Sequence, residues 1–433
     1  MSLRRLAFET LMDITERGAY ANLRLKTAQA GLPVRDAKWL AALVYETLDH
    51  LYYLDYVLVF YARGRLQAPV RGVLRLGVCE LLFMRTPQSA ACDESVKLVK
   101  EIGKQKLAGY VNGVLRTIAR EKDNPPPLPE EPIERLRVQY SWPGWLIEQW
   151  VDRFGVEQAE LLLRTHAPGM QLRAQPPFTT KELKQALENR GLDYIQGKWM
   201  PDCLRLNEGI NIAEEALFVE GKLTVQSEGS MLVCAACKVG PKMRVLDVCA
   251  APGGKSAYLY ALGGEDIELH SWELHPHRKA LLDKTLARLN VSAQTKMQDA
   301  TVLQEEYRGY FDVVLLDVPC SGLGVAAGKP DIRYQKSPEA IEDLVKIQRN
   351  ILDTCCEYVR PGGALIYASC TISERENEQQ VNEFLSRRAD FAPDDLSGAL
   401  HDELLEKENW QVQLLPHLHG TEGFFVARMK KKL

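Results

Sequence analysis

Two cysteines stand directly behind apolar runs, Cys320 in LLDVPCSG and Cys370 in LIYASCTIS. A cysteine thiolate is the most nucleophilic of the common side chains near neutral pH. Loops that follow the strands of an open α/β sheet are where such sheets place their chemistry. One cysteine alone reads better as a small buried hydrophobe. Two in matching positions point to a reaction in which one thiol attacks and a second group manages protons during elimination. Asp317 closes the strand that leads to Cys320, where its carboxylate can hydrogen-bond the polar edge of a substrate.

A second stretch, VLDVCAAPGGKSAYL, joins an apolar strand to a helix through a glycine-bearing loop, with Cys249, Ala250, Ala251, Pro252, Gly253, Gly254 and Lys255 as candidate cofactor-binding residues. Glycines ahead of a helix N-terminus let backbone N–H groups approach a nucleotide-like ligand closely. The loop is not GxGxxG, and it lacks the upstream glycine of a P-loop, so phosphate binding is disfavoured. Glu273 ends the next strand, about 20 residues past the glycines, where a carboxylate can accept both hydroxyls of a ribose. Asp299 and Asp317 end the following two. Any one of these acids could simply cap a helix. Four strand ends in order, with no basic cradle, describe a ribose and a base carrying a positive group, which favours S-adenosyl-L-methionine over a dinucleotide.

These residues need a sheet to hold them. Strands are predicted near Arg244 to Val248, Leu269 to Leu274, Val313 to Leu316 and Ala364 to Tyr367, with helices between, so residues 228–433 read as a mostly parallel, doubly wound α/β domain. Residues 133–227 read as a small α+β connecting segment, with a helix capped by Thr179 or Thr180 and short strands around Ile195, Leu204 to Leu206 and Leu223 to Val225. The proline-rich DNPPPLPEEP, 123–132, reads as an extended spacer. Ahead of it, residues 1–122 carry apolar positions at helical spacing, such as Leu40, Leu43, Val44, Leu48 and Leu51, and read as all-α.

Charge divides the chain along the same line. Residues 1–123 hold 19 Lys+Arg against 13 Asp+Glu, net +6, while the rest hold 35 against 45, net −10. Such asymmetry hints that the N-terminal part touches nucleic acid. Lys97, Lys100 and Lys104 share one helix face, as do Asn112, Arg116 and Arg120, although a solvated face accounts for that spacing as well. No run reaches the ~20 apolar residues of a membrane helix. Charges also interrupt the N-terminus, so a cytoplasmic, non-membrane protein is expected. The ten cysteines suit a reducing compartment, and the lone CxxC at Cys234 and Cys237 lacks the further ligands a metal would need, so no metal is expected.

DVCAAPGGKS, LLDVPCSGLG, YASCTISERENE and TEGFFVARMKK, with VQSEGSMLV ahead of them, resemble the motifs of the RNA cytosine-C5 methyltransferase family. RRLAFETLMDITERGAYAN, LVYETL, VLRLGVCELLFM and YVNGVLR resemble the NusB-like RNA-binding domain found ahead of the catalytic part in one branch of it. The resemblance implies an all-α NusB-like domain followed by a Rossmann-like, S-adenosyl-L-methionine-dependent methyltransferase domain. It implies Cys370 as the nucleophile, Cys320 as the cysteine that assists product release, and Asp317 beside the methyl donor and the target base. It also implies Glu273 on the ribose, Asp299 on the adenine side, and a 16S rRNA substrate, naked or partly assembled. The loop GVAAGKPDIRY lacks the extra arginines often found before Pro-Asp, and LRAQ at 172–175 replaces an LRVN-like stretch. Both lie where RNA contacts would be expected. The competing readings are a non-catalytic NusB-like RNA-binding factor and a C5 methyltransferase acting on another RNA or on DNA.

Overall fold

The computed structural model describes residues 2–405 and 409–433. They divide into two compact units, 1–165 with 329–335, and 166–328 with 336–433.

The first unit is helical: α1 (Leu3–Arg17), α2 (Ala21–Gln29), α3 (Val34–Asp49), α4 (Leu51–Tyr61), α5 (Ala68–Leu82), α6 (Gln88–Glu101), α7 (Ala108–Glu121), α8 (Pro132–Tyr140), α9 (Gly144–Phe154) and α10 (Val156–Leu163). The Leu40, Leu43, Val44 and Leu48 stripe is fully buried on α3. α5 is buried along most of its length, and a Cβ at Gly77 would come within 2.7 Å of Ser95 Oγ, so the small residue lets α6 approach. Its two buried charges are paired, Arg75 with Asp55 at 2.6 Å and Glu80 with Arg4 at 2.7 Å, as buried ions must be.

The proline-rich segment does not separate the units. Tyr56 donates to the Pro127 carbonyl at 2.5 Å, and the Glu131 side chain caps α8 by accepting from Ile133 and Glu134 N–H. Arg137 lies 5.1 Å over the Tyr52 ring. The expected 133–227 segment is therefore divided, its helices α8 to α10 joining the helical unit and the remainder joining the second. Residues 329–335 complete the helical unit. The Asp331 carboxylate accepts from Ala21 N–H at the start of α2, Arg333 pairs with Asp49 at 3.2 Å, and Tyr334 donates to the carbonyls of Leu48 and Ser141. Asp331 and Arg333 are buried, whereas Lys329 is exposed.

In the second unit, β1 (Gln171–Ala174), α11 (Thr180–Glu188), β2 (Tyr194–Gln196), β3 (Leu204–Leu206), α12 (Ala216–Val219) and β4 (Leu223–Val225) build an antiparallel sheet of order β2-β3-β1-β4. Thr179 and Glu182 form a capping box at α11. Arg173 and Gln175 are buried, and the Arg173 guanidinium donates to Gln226, Gln175 and the Ala174 carbonyl while stacking 4.6 Å over Tyr258. Burial lowers its pKa to about 10.

The larger sheet follows: α13 (Glu228–Ala236), β5 (Arg244–Asp247), α14 (Gly254–Gly263), β6 (Glu268–Glu273), α15 (Pro276–Arg288), β7 (Gln294–Met297), β8 (Phe311–Asp317), α16 (Ile332–Gln335, in the helical unit), α17 (Pro338–Cys355), β9 (Val359–Ser369), α18 (Glu378–Arg387), β10 (Phe391–Pro393), β11 (Gln411–Leu414), α19 (Pro416–His419) and β12 (Phe424–Lys431). Its order is β10-β12-β9-β8-β5-β6-β7, with β11 beside β12. β5 to β9 run parallel, and β12 runs antiparallel to β9. Helices on both faces explain the near-continuous apolar strands. Val313 and Leu315 of β8 join the core beneath α13 to α15, and Val314 and Leu316 join the one that holds Ile351 and Leu352 of α17. The strand order reverses at β5, which opens a crevice at the C-terminal edge. No helix among the described residues is long and apolar enough to cross a membrane.

Candidate active site

β5 ends at Asp247, which is fully buried; Ser256 donates to its Oδ2 at 2.6 Å, Ser271 donates to Ser256, and Oδ1 has no partner. Burial, with the charges of Asp317 and Glu273, pushes this carboxyl up to about 7. The chain then turns through Cys249 to Gly253. Gly253 has φ +106°, and a Cβ there would press on Leu282 at 3.1 Å, so the bend into α14 requires glycine. Glu273, at the end of β6, is 3% exposed; its Oε1 accepts from His275 N–H, and Arg278 lies 3.5 Å from Oε2 while donating to the Ala251 carbonyl. Asp299, past β7, accepts at Oδ1 from the N–H and hydroxyl of Thr301.

β8 and β9 are hydrogen-bonded neighbours with Asp317 opposite Ala368. The cysteines that follow them meet, Cys320 Sγ and Cys370 Sγ lying 3.2 Å apart. A cleft of about 280 Å³ is lined by Cys249, Ala251, Glu273, Asp299, Asp317, Cys320 and Cys370 together. Ala250, Pro252, Gly253, Gly254 and Lys255 are not on its wall. The first four shape the loop, and the Lys255 ammonium is committed to Asp317 Oδ2 at 2.7 Å. Cys234 and Cys237 lie on the buried side of α13 and at its end, and among the described residues no group of His, Cys, Asp and Glu is arranged to hold a metal.

The two thiols sit in different fields. The Cys320 thiol is held well above its usual range by its hydrogen bond with Cys370, by burial, and by the negative charges of Glu376 and Asp317. Burial alone would weaken Lys255 as a cation, but Asp317 above all, with Cys234 and then Cys370, outweighs it and holds the ammonium charged. Sequence reasoning missed Arg278 and the buried group formed by Ser321, Gln348, Thr371 and Glu376. The SERENE stretch after Cys370 carried the only signal for the latter.

Three family models match successive parts of the chain, the middle one starting just before α9 in the helical unit and running into the second unit. Residues 1–120 match the model of the NusB family, 142–213 that of the RsmF/B-like ferredoxin-like domain, and 235–430 that of the 16S rRNA methyltransferase RsmB/F family. The probable ribosomal RNA small subunit methyltransferase B of Bacillus subtilis (strain 168) is 36% identical over 446 residues, spanning 100% of this chain and 99% of its own. This chain belongs to the ribosomal RNA small subunit methyltransferase B family. Another member of that family, from Shewanella oneidensis, is 32% identical and spans 100% of this chain and 99% of its own. The crystal structure of PH0851 superposes with a TM-score of 0.83 at 22% identity, covering 100% of both chains. That of NSun6 from Pyrococcus horikoshii with SFG gives 0.56 at 19% identity, over 67% of this chain and 98% of that one. Both share the fold.

Proposed function

We propose that the chain transfers a methyl group from S-adenosyl-L-methionine to carbon 5 of a cytosine in 16S rRNA, through a covalent bond between Cys370 and carbon 6. The observation that carries this reading is the 3.2 Å approach of Cys320 and Cys370 in one cleft with Asp317. The cleft fits the cofactor. Glu273, Asp299 and Asp317 supply carboxylates for hydroxyls and for positive charge, with Arg278 as the one lysine or arginine on the wall. SFG, bound to the related NSun6, is an analogue of S-adenosyl-L-methionine. The bound cofactor supplies an electrophilic methyl group on a sulfonium.

Carbon 5 of cytosine is too weak a nucleophile to take that methyl group unaided. Addition of the Cys370 thiolate to carbon 6 pushes electron density to carbon 5, which splits one hard step into two easier ones. The Lys255 ammonium lies within electrostatic range of Cys370. Cys320 lies in the field of Glu376 and Asp317, which favours the protonated thiol and suits proton handling rather than attack. Release requires loss of the carbon-5 proton and departure of Cys370 from carbon 6, with Cys320 adjacent to assist. Asp317 borders the same space, and its carboxylate takes the N3/N4 edge of the base in this reading. The base must leave its stack to enter, at a few kcal/mol, which favours naked or partly assembled rRNA over the mature subunit.

The test incubates each cysteine variant with 16S rRNA and labelled cofactor. Cys370→Ala abolishes methylation and adduct. Cys320→Ala accumulates a protein–RNA adduct that survives denaturation. The opposite pattern would sink the assignment, and bisulfite sequencing of rRNA from cells with and without the protein identifies the cytosine or excludes 16S rRNA.

A further inference from the structure

Glu376 is fully buried, touches neither the cleft wall nor the surface, and lies six residues past Cys370 in the SERENE stretch. A buried carboxylate is costly unless hydrogen bonds replace its water. Here four donors do so. Oε1 accepts from Ser321 N–H at 2.8 Å and from Gln348 of α17 at 3.1 Å. Oε2 accepts from the Ser321 hydroxyl at 2.6 Å and, more weakly, from the Thr371 hydroxyl at 3.4 Å.

The identity of these donors is what matters. Ser321 directly follows Cys320, Thr371 directly follows Cys370, and their hydroxyl oxygens are 2.7 Å apart. Gln348 also donates to the carbonyl of Pro319, directly before Cys320, and Tyr367 donates to the Glu376 carbonyl from β9. The backbones are tied in parallel: Gly324 N–H donates to the Cys370 carbonyl at 3.1 Å. That crossing depends on glycine, since a Cβ at Gly324 would lie 2.0 Å from the Gly423 carbonyl. Glu376 thus joins the residues flanking both cysteines, which β8 and β9 alone would only bring near one another.

We propose that Glu376 is the positioning residue of the two-thiol site, fixing the separation of Cys320 and Cys370 through Ser321 and Thr371. The proposal rests on the covalent mechanism above, but the geometry it asserts can be read without any methylation. Diamide oxidises two adjacent thiols to a disulfide, itself taking up the two electrons and two protons, so the rate at which a Cys320–Cys370 cross-link forms reports their approach.

Glu376→Leu keeps most of the side-chain volume and removes all four hydrogen bonds that tie Ser321, Thr371 and Gln348 together. In this variant the cross-link, followed by mass spectrometry, forms at least about tenfold more slowly than in wild type, which corresponds to roughly 1.4 kcal/mol in the barrier. Cofactor affinity by calorimetry stays within about twofold, and with RNA the adduct accumulates while turnover falls. Thr371→Val, which cuts the hydroxyl link and keeps the volume, serves the same test if the first variant does not fold. A wild-type cross-linking rate overturns the proposal, as does an equal proportional loss of adduct and turnover, which a merely structural role would produce. If Cys320→Ala with Glu376 intact traps no adduct, the covalent reading fails instead, and the cross-linking result still stands for the positioning role.

Discussion

Lys255 Nζ lies 2.7 Å from Asp317 Oδ2, so the cation of the glycine loop is paired with the acid at the end of β8. The pair connects the two loops of the cleft, and Lys255 also lies within electrostatic range of Cys370. Lys255→Met keeps the length of the side chain and removes its charge. The Cys370 thiolate is then less favoured, so the rise of adduct formation with pH moves to higher pH. Turnover at neutral pH drops about 10- to 100-fold, roughly 1.4 to 2.8 kcal/mol. A pH-rate limb that does not move in stopped-flow measurements of adduct formation argues against this role.

Asp247 gives a pH signature of its own. Its carboxyl has a folded-state pKa of about 7 against an ordinary 3.8, so the folded state binds the proton more tightly than the unfolded one. The stability it contributes is fully present below pH 3.8 and is lost as pH rises to about 7. Asp247→Asn cannot titrate. Relative to wild type, its melting temperature rises as pH goes from about 4 to 7 and the difference levels off above, a shift on the order of a few kcal/mol. A constant difference in thermal melts across that window would show that Asp247 keeps an ordinary pKa.

On the helical unit, the exposed basic residues of α6 and α7 divide by partner. Lys97 is paired with Glu94 at 2.7 Å, whereas Lys100, Arg116 and Arg120 are exposed and form no ion pair with a carboxylate among the described residues. Replacing those three with alanine weakens 16S rRNA binding without regard to sequence. Each lost phosphate contact lowers the slope of log affinity against log salt by about 0.7 to 0.9. The melting temperature holds, because these side chains bury nothing. An unchanged salt slope in filter-binding titrations would remove this face from the RNA interface.

The positions of the strands and the cysteines were legible because both depend on local pattern. Apolar runs ending in Asp247, Glu273 and Asp317 mark parallel strands, and Cys320 and Cys370 follow the neighbouring strands β8 and β9, three residues past Asp317 and one past Ser369. Partners far apart in sequence left no such trace. Periodicity reports that a residue is buried but not what it meets: Tyr334 hydrogen-bonds Leu48 across 286 positions, and Arg173 stacks on Tyr258. The departures from the family pattern at 172–175 and in the 325–333 loop gave no sign of where their charges go, and Arg173, Asp331 and Arg333 are ion-paired or hydrogen-bonded inside the protein. The prolines of 123–132 correctly excluded a helix there, but a segment that is not helical can still lie against a core, as Pro127 does on Tyr56.

Residues 329–335 have a consequence for synthesis. The start of α2 receives its cap from Asp331, and the end of α3 its ion pair from Arg333, so the helical unit lacks part of its own interior until the ribosome has made the loop beyond Cys320. A truncated transcript encoding only the first 165 residues would yield helices with buried positions left open. The helical unit is thus completed by seven residues that are translated only after β5 to β8 of the second unit.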